Sequence, residues 1–196
     1  LLLGPGLNIK RHPRGGRNFE YFSEDPLLSG AMAAALVQGV QSRGVGACLK
    51  HFAVNNQETM RMVVDAVVDE RTLREIYLRG FEIAVERSSP AAVMTSYNRI
   101  NGVHASDHVH LLREILRGEW GFEGHVVSDC GALTDIHLNH KVTKDAAETV
   151  ALALKRGCDI GCDQVYDEIP EAIARGLITE ADVDRALART LATRFK

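Results

Sequence analysis

The amino-acid sequence predicts an α/β fold in which parallel strands are covered by helices, as in the later part of a (β/α)8 TIM-type barrel. Short apolar runs alternate with helical patterns, and the connections between them are too long for hairpins. Polar residues cluster where three runs end, at 50–51, 96–98 and 128–129, the end of barrel strands where active sites lie. An open doubly wound sheet fits the same alternation, but no G-x-G-x-x-G occurs at a strand-to-helix turn. The chain holds only about four or five strands, too few to close an eight-stranded barrel.

The strand predictions depend on short apolar or β-branched runs bounded by turn residues. In chain order these runs are Leu1–Leu3, Leu7–Ile9, Ala47–Phe52, Ala92–Tyr97, Val126–Asp129 and Cys158–Ile160. The segment 11–26 is rich in glycine, proline and charge, so it is predicted to be an irregular loop.

The helix predictions depend on apolar residues spaced three to four apart and on end signals. In Thr72–Glu86 the apolar positions Leu73, Ile76, Tyr77, Phe81 and Val85 follow this spacing. The helices predicted are Leu27–Gln41, Thr72–Glu86, His110–Trp120, Asp145–Arg156, Glu168–Arg175 and Thr179–Phe195. The last of them opens with the cap pattern T-E-A-D.

Composition limits the classes of partner and cofactor. The chain of 196 residues is 45% hydrophobic with a net charge of −3, which fits one domain or a large part of one. No basic face favours nucleic acid, and no apolar run of about 18 residues predicts a membrane span. The first residues, LLLGPGLNIKR, lack the features of a signal peptide and resemble a chain entered in mid-strand. The cellular compartment stays open.

Four cysteines are few for this length and argue against a disulfide framework. Cys158 and Cys162 have a C-x3-C spacing, but no second cysteine pair or nearby histidine completes a zinc site. The sequence therefore predicts buried free thiols and requires no metal or cofactor.

The stretch GHVVSDCGAL at 124–133 places Asp129 where a buried strand ends. Taken alone, such an aspartate can be a helix cap, and Arg17 could simply pair with Glu20 or Glu24. In a barrel, however, strand ends distant in sequence meet on one face. We therefore expect Asp129 to lie near four cationic or histidine side chains and one tyrosine: Arg17, Lys50, His51, Arg61 and Tyr97.

The predicted cluster has chemical consequences. Nearby cations are expected to lower the pKa of the Asp129 carboxyl group. An ionised carboxylate among hydroxyl-binding donors suits attack on the anomeric carbon of a sugar. An aldolase-type lyase fits the same residues, as does a phosphate-binding barrel, although no glycine-rich loop before a helix supports the latter.

Several long motifs occur in an order that resembles family 3 of the glycoside hydrolases. They include GPGLNIKRHPRGGRNFEYFSEDP, LKHFAVNNQE, VMTSYNRINGV and LLREILRGEWGFEGHVVSD. The resemblance implies a retaining β-glycosidase with a first domain of the (β/α)8 type and a second α/β sandwich domain. It places the catalytic nucleophile on Asp129. It places substrate-binding roles on Arg17, Lys50, His51, Arg61, Met94 and Tyr97, although Met94 would by default be core packing.

Some features depart from the family pattern or fall outside it. Cys130 follows the nucleophile where most β-glucosidases of the family have tryptophan, and S-D-C-G-A looks more like the β-xylosidase branch. G-R-N-F-E and N-N-Q-E look more like β-glucosidases. The K-H-F-P-G-H-G loop, which carries the acid/base histidine of the glucosaminidase branch, is absent.

The expected domain is 1–196, an incomplete family 3 barrel. The start of the barrel would precede Leu1, and the acid/base glutamate would lie in a domain after Lys196. The expected substrates are β-linked gluco- or xylo-oligosaccharides or glycosides. The chain alone is expected to be inactive. The alternatives are a sugar-binding barrel that no longer cleaves, or a fragment that cannot fold alone because its sheet edge is open.

Overall fold

A computed structural model describes residues 1–195 and shows a parallel sheet at the centre of the chain. The strands are β1 (Cys48–Phe52), β2 (Asp65–Ala66), β3 (Ala92–Thr95), β4 (Arg99–Ile100), β5 (Val103–His104) and β6 (His125–Val127). β1, β3 and β6 lie side by side in that order, and both pairings are parallel. Single parallel bridges add residues 2 and 6 at one edge and residue 160 at the other. The predicted α/β class with parallel strands is confirmed.

Helices connect and cover these strands. They are α1 (Pro26–Gln41), α2 (Glu70–Thr72, Leu73–Leu78 and Arg79–Ser88 in succession), α3 (His110–Glu119), α4 (Ala132–Leu138), α5 (Ala146–Arg156), α6 (Ile169–Ala174) and α7 (Glu180–Arg194). The middle segment of α2 and all of α3 have π-helical hydrogen bonding. None of the helices in the described part of the chain has the length and apolar character needed to cross a membrane.

Short polar side chains set where the helices begin. Asp25 accepts a hydrogen bond from the Leu27 N–H at 2.8 Å, and a proline occupies the first turn of α1. The predicted cap at Thr179 is confirmed as a capping box with Asp182 at the start of α7. Such caps satisfy N–H groups that have no partner within the helix.

The core lies between the sheet and the helices and contains the largest buried side chains. Phe52 of β1 packs edge-to-face against Phe81 of α2, with ring centroids 5.1 Å apart. Gly30 of α1 lets α1 and α2 approach closely, because a Cβ there would lie 2.8 Å from the Cβ of Ile83. This packing fixes the layer of helices on one face of the sheet.

Three sequence predictions of secondary structure were wrong in detail. The runs Leu1–Leu3, Leu7–Ile9 and Cys158–Ile160 form no strands of their own and contribute at most single bridges. A small second sheet in the order β2-β4-β5 was not predicted. Neither was α4, whose N-cap is Gly131, a residue without a capping side chain.

Candidate active site

The carboxyl ends of the three parallel strands bring the predicted site residues together. β1 carries Lys50 and His51, β3 leads into Tyr97, and β6 leads directly into Asp129. The side chains of His51 and Asp129 are both buried, and His51 Nε2 lies 3.5 Å from Asp129 Oδ2. The geometry therefore agrees with the convergence expected at the ends of parallel barrel strands.

The two carboxylate oxygens of Asp129 have different surroundings. Oδ1 accepts a hydrogen bond of 2.8 Å from the backbone N–H of Cys130. Oδ2 is buried and has no hydrogen-bond partner among residues 1–195. Asp107 Oδ1 and Asp135 Oδ2 are likewise buried and unpaired, so what distinguishes Asp129 is the place of its free oxygen, 3.5 Å from His51 Nε2 at the carboxyl ends of the strands.

The expected pKa of Asp129 was wrong in direction. Burial raises the pKa of this carboxyl group, and it outweighs the opposing effects of the Cys130 N–H and of the three nearby cations.

Two glutamates accompany the three cations of the site. Glu20 pairs with Arg17 and, at 3.2 Å, with Lys50 Nζ, while Glu58 lies 2.8 Å from Arg61. The sequence already allowed the pairing of Arg17 with Glu20, three residues along, but not the pairing of Lys50 with the same carboxylate. The cationic side chains are therefore held in place by fixed partners.

His51 is fixed at both its backbone and its ring. Asn8 donates from Nδ2 to the His51 carbonyl and accepts from the His51 N–H, both at 2.8 Å. The Tyr21 hydroxyl lies 3.0 Å from ring atom Nδ1. Burial lowers the pKa of His51 to about 2, with the neighbouring cations acting in the same direction, so the ring is neutral. Neither Asn8 nor Tyr21 was identified from the sequence, although Tyr21 directly follows the motif G-R-N-F-E.

Tyr97 and Met94 occupy different positions relative to the site. The Tyr97 hydroxyl donates to the Cys130 carbonyl, and the guanidinium of Arg61 lies over its ring, 4.3 Å from the centroid. Met94 is buried in a small apolar cluster with Cys48 and Val127. Its predicted role in substrate binding stays a prediction.

The prediction of free thiols was wrong for two cysteines. Cys130 and Cys162 form a disulfide, while Cys48 and Cys158 are free and buried as expected. The bond joins the loop after β6 to the segment after residue 160, which bridges to Val127. The Cys162 N–H also donates to Ser128 Oγ at 3.0 Å. The disulfide therefore braces the backbone on both sides of Asp129.

Two cavities in the described part of the chain lie away from Asp129. One of about 640 Å³ lies between the loops 11–15 and 54–59, and one of about 790 Å³ lies at the opposite end of the sheet, beside Trp120 and His125. Asp129 lines neither of these two cavities. Within residues 1–195 no group of three or more histidine, cysteine, aspartate or glutamate side chains could hold a metal ion.

Comparisons with known proteins all lead to one family. The glycosyl hydrolase family 3 N-terminal domain model matches residues 1–193. The thermostable β-glucosidase B of Acetivibrio thermocellus is 50% identical over 196 residues, which are 100% of this chain and 24% of that protein. Solved with glucose, β-glucosidase 3B of Thermotoga neapolitana has a TM-score of 0.87 and 48% identity, over 98% of this chain and 26% of that one.

A family 3 exo-β-xylosidase, solved with a xylobiose aziridine activity-based probe, has a TM-score of 0.90 and 29% identity. The match covers 95% of this chain and 26% of that chain. The chain thus spans about a quarter of the length of these relatives.

Proposed function

Since the chain belongs to glycosyl hydrolase family 3, we propose that it forms the nucleophile-bearing, sugar-binding part of a retaining, exo-acting β-glycosidase. The observation that carries this proposal is the asymmetry of the Asp129 carboxylate. Oδ1 is held by a backbone N–H, while Oδ2 is buried and unpaired within the described chain. An oxygen kept free at the carboxyl ends of parallel strands suits attack on a bound substrate.

The first step of the proposed reaction breaks the glycosidic bond. Asp129 Oδ2 attacks the anomeric carbon of a terminal β-linked sugar, and the bond from that carbon to the glycosidic oxygen breaks. The departing oxygen takes its proton from a glutamic acid, which we place in a domain after Lys196. In the second step water attacks the glycosyl ester, the same glutamate takes a proton from that water, and the Asp129 carboxylate is released. Two inversions at one carbon give net retention of configuration.

The surrounding side chains are proposed to hold the terminal sugar. Lys50, Arg17 and Arg61 would donate charge-assisted hydrogen bonds to its hydroxyl groups, and such bonds strengthen as charge develops in the transition state. Glu20 and Glu58 support this role because they orient the three cations before a sugar arrives. His51 would place the single N–H of its neutral ring beside Asp129, where the sugar meets the carboxylate, and Met94 and Tyr97 would form an apolar and hydrogen-bonded wall.

We propose β-D-glucosides as the first substrate class and β-D-xylosides as the second. The relatives above include β-glucosidases and an exo-β-xylosidase. Cys130 takes the place at which most β-glucosidases of the family carry an indole, so one apolar surface for the sugar ring is replaced by a disulfide. The rates of the full-length protein on aryl β-glucosides and aryl β-xylosides measure its preference between the two sugars.

The proposed domain is residues 1–196 as an incomplete N-terminal barrel, completed by preceding strands and followed by an α/β sandwich domain. The support is that the chain corresponds to about a quarter of its relatives. The edges of the sheet carry only single bridges, at residues 2, 6 and 160, as expected where further strands would pair.

Covalent trapping in the full-length protein tests this function. Incubation with 2-deoxy-2-fluoro-β-D-glucosyl fluoride should add one sugar to the enzyme, and peptide mapping should locate it on Asp129. The variant Asp129→Asn should lose at least about 1,000-fold of kcat on aryl β-glucosides and xylosides and should not be labelled. Asp107→Asn, at another buried carboxylate, is the matched control and should be labelled normally. Labelling of a different residue, or near-normal turnover by Asp129→Asn, would overturn the proposal.

A further inference from the structure

We infer that Tyr21 is a positioning residue for the reaction: its hydroxyl fixes His51 so that the only N–H of the ring points into the site at Asp129. This inference rests on the proposed function of Asp129 and adds a residue that the family resemblance did not assign. Within residues 1–195 the Tyr21 hydroxyl bonds to the ring of His51, and no hydrogen bond joins it to Asp129. It acts through the imidazole.

The contacts form a continuous chain of three side chains. Tyr21 is buried, and its hydroxyl oxygen lies 3.0 Å from His51 Nδ1. The two rings meet edge to face, with centroids 6.2 Å apart. His51 is only 1% exposed, and its opposite ring atom Nε2 lies 3.5 Å from Asp129 Oδ2. Water therefore has little access to the imidazole, and Tyr21 is its partner on the Nδ1 side.

The surroundings leave the ring neutral. Burial, with a smaller contribution from three cations, lowers the pKa of His51 to about 2. Those cations are Arg17, Lys50 and Arg61. A neutral imidazole carries one N–H and one lone pair, so its tautomer decides whether an N–H or a lone pair faces Asp129.

The hydroxyl of Tyr21 selects the tautomer of His51. Burial raises the pKa of Tyr21, so the phenol keeps its proton and is able to donate it to Nδ1. With Nδ1 accepting, the N–H lies on Nε2 and faces the Asp129 carboxylate, which is favourable. The other tautomer would place the Nε2 lone pair 3.5 Å from a carboxylate oxygen, where the two would repel.

Asn8 fixes the backbone of His51, so the Tyr21 hydroxyl is left to set the orientation and the tautomer of the ring. Asn8 holds both the N–H and the carbonyl of His51, so the main chain cannot adjust when the ring turns. What stays variable is the ring itself, through its tautomer and its rotation about the side-chain bonds. A hydrogen bond to Nδ1 fixes both, as expected for a group that orients a catalytic or binding histidine.

The test is Tyr21→Phe in the full-length enzyme, a change that removes one oxygen and keeps the ring. We expect the rate of glycosylation of Asp129 by the fluorinated glucoside to fall about 10-fold or more, since small errors of orientation are costly. The melting temperature should stay close to that of the parent. Tyr166→Phe is the control, because Tyr166 is a half-buried tyrosine whose hydroxyl also donates a hydrogen bond, in its case to the Cys158 carbonyl at 2.7 Å. It should react at the parental rate.

Two further measurements separate positioning from general stability. In a His51→Ala background, Tyr21→Phe should change the rate by less than about 2-fold, because a positioning residue has no effect without the group it positions. The imidazole ¹⁵N signals should place the proton of His51 on Nε2 in the parent and show a mixture of tautomers in Tyr21→Phe. The NMR measurement needs no His51 variant.

The outcomes are distinct for the two proposals. If the label is on Asp129 but Tyr21→Phe reacts at the parental rate, or if the parent carries its proton on Nδ1, the inference about Tyr21 is refuted alone. If the label is not on Asp129, the proposed function fails, whatever Tyr21 does.

Discussion

Removal of the Cys130–Cys162 disulfide should measurably destabilise the domain. The two cysteines are 32 residues apart in sequence, and the chain-entropy relation for a loop of this length gives about 3.7 kcal/mol at 25 °C. For a domain of this size that corresponds to a fall in Tm of about 7–15 °C. The physical reason is that the cross-link restricts the unfolded chain, while hydrogen bonds such as Cys162 N–H to Ser128 Oγ hold the folded loops in either case.

The assay is thermal unfolding of the full-length protein and three variants: Cys130→Ser, Cys162→Ser and the double variant. Each single change breaks the same cross-link, so all three should lose nearly the same stability, and the losses should not add. A phosphine reductant should move the parent to the Tm of the variants and leave the variants unchanged, because Cys130 is exposed. Peptide mapping without reduction should recover the linked pair. The proposed restraint on the unfolded chain is refuted if the losses of the two single variants add in the double variant. It is also refuted if the free energy of unfolding of the double variant is less than about 1 kcal/mol below that of the parent.

Two further predictions concern buried carboxylates outside the site. Asp159→Asn should lower the free energy of unfolding by about 3–5 kcal/mol, because the buried Asp159 carboxylate lies 2.6 Å from Arg117 and the variant leaves that cation without its charge partner. Glu119→Gln, which removes an exposed ion pair, should lower it by less than about 1 kcal/mol. For Asp107, burial raises the pKa from 3.8 to about 6, so the folded state binds its proton more tightly than the unfolded state does. Stability should therefore fall by up to about 3 kcal/mol as the pH rises from about 4 to 7, and Asp107→Asn should abolish that fall. Chemical denaturation at both pH values checks each change, and an unaltered pH slope in Asp107→Asn would contradict the assignment.

The elements that sequence patterns predicted well are those defined by local signals. The helix predicted at Leu27–Gln41 is found at Pro26–Gln41, because a proline and the Asp25 cap fix its start. The final helix begins at its predicted cap for the same reason. The three central strands were predicted to within about two residues at each end, the usual scatter of such boundaries. Their shared orientation followed from the long helical connections between them.

The features that were missed depend on contacts between distant segments or on short elements without a period. Strands of two residues, such as Asp65–Ala66, are too short for alternation to be recognised. The partner of Cys130 could not be read from spacing, since the segment at Cys162 reaches it only through the bridge between Val127 and Ile160. The prediction for Asp129 counted nearby cations but not burial, which depends on the whole fold.

Glutamates hold the three cations around Asp129 in place. Lys50 and Arg17 share Glu20 as a partner, and burial outweighs the effect of both cations on the pKa of Asp129. The same pairing keeps two long side chains in one geometry before a sugar binds, which lowers the entropy lost on binding. A site built from unpaired cations would hold its donors less rigidly. In this arrangement the carboxylate keeps one oxygen free, and the donors around it are already oriented.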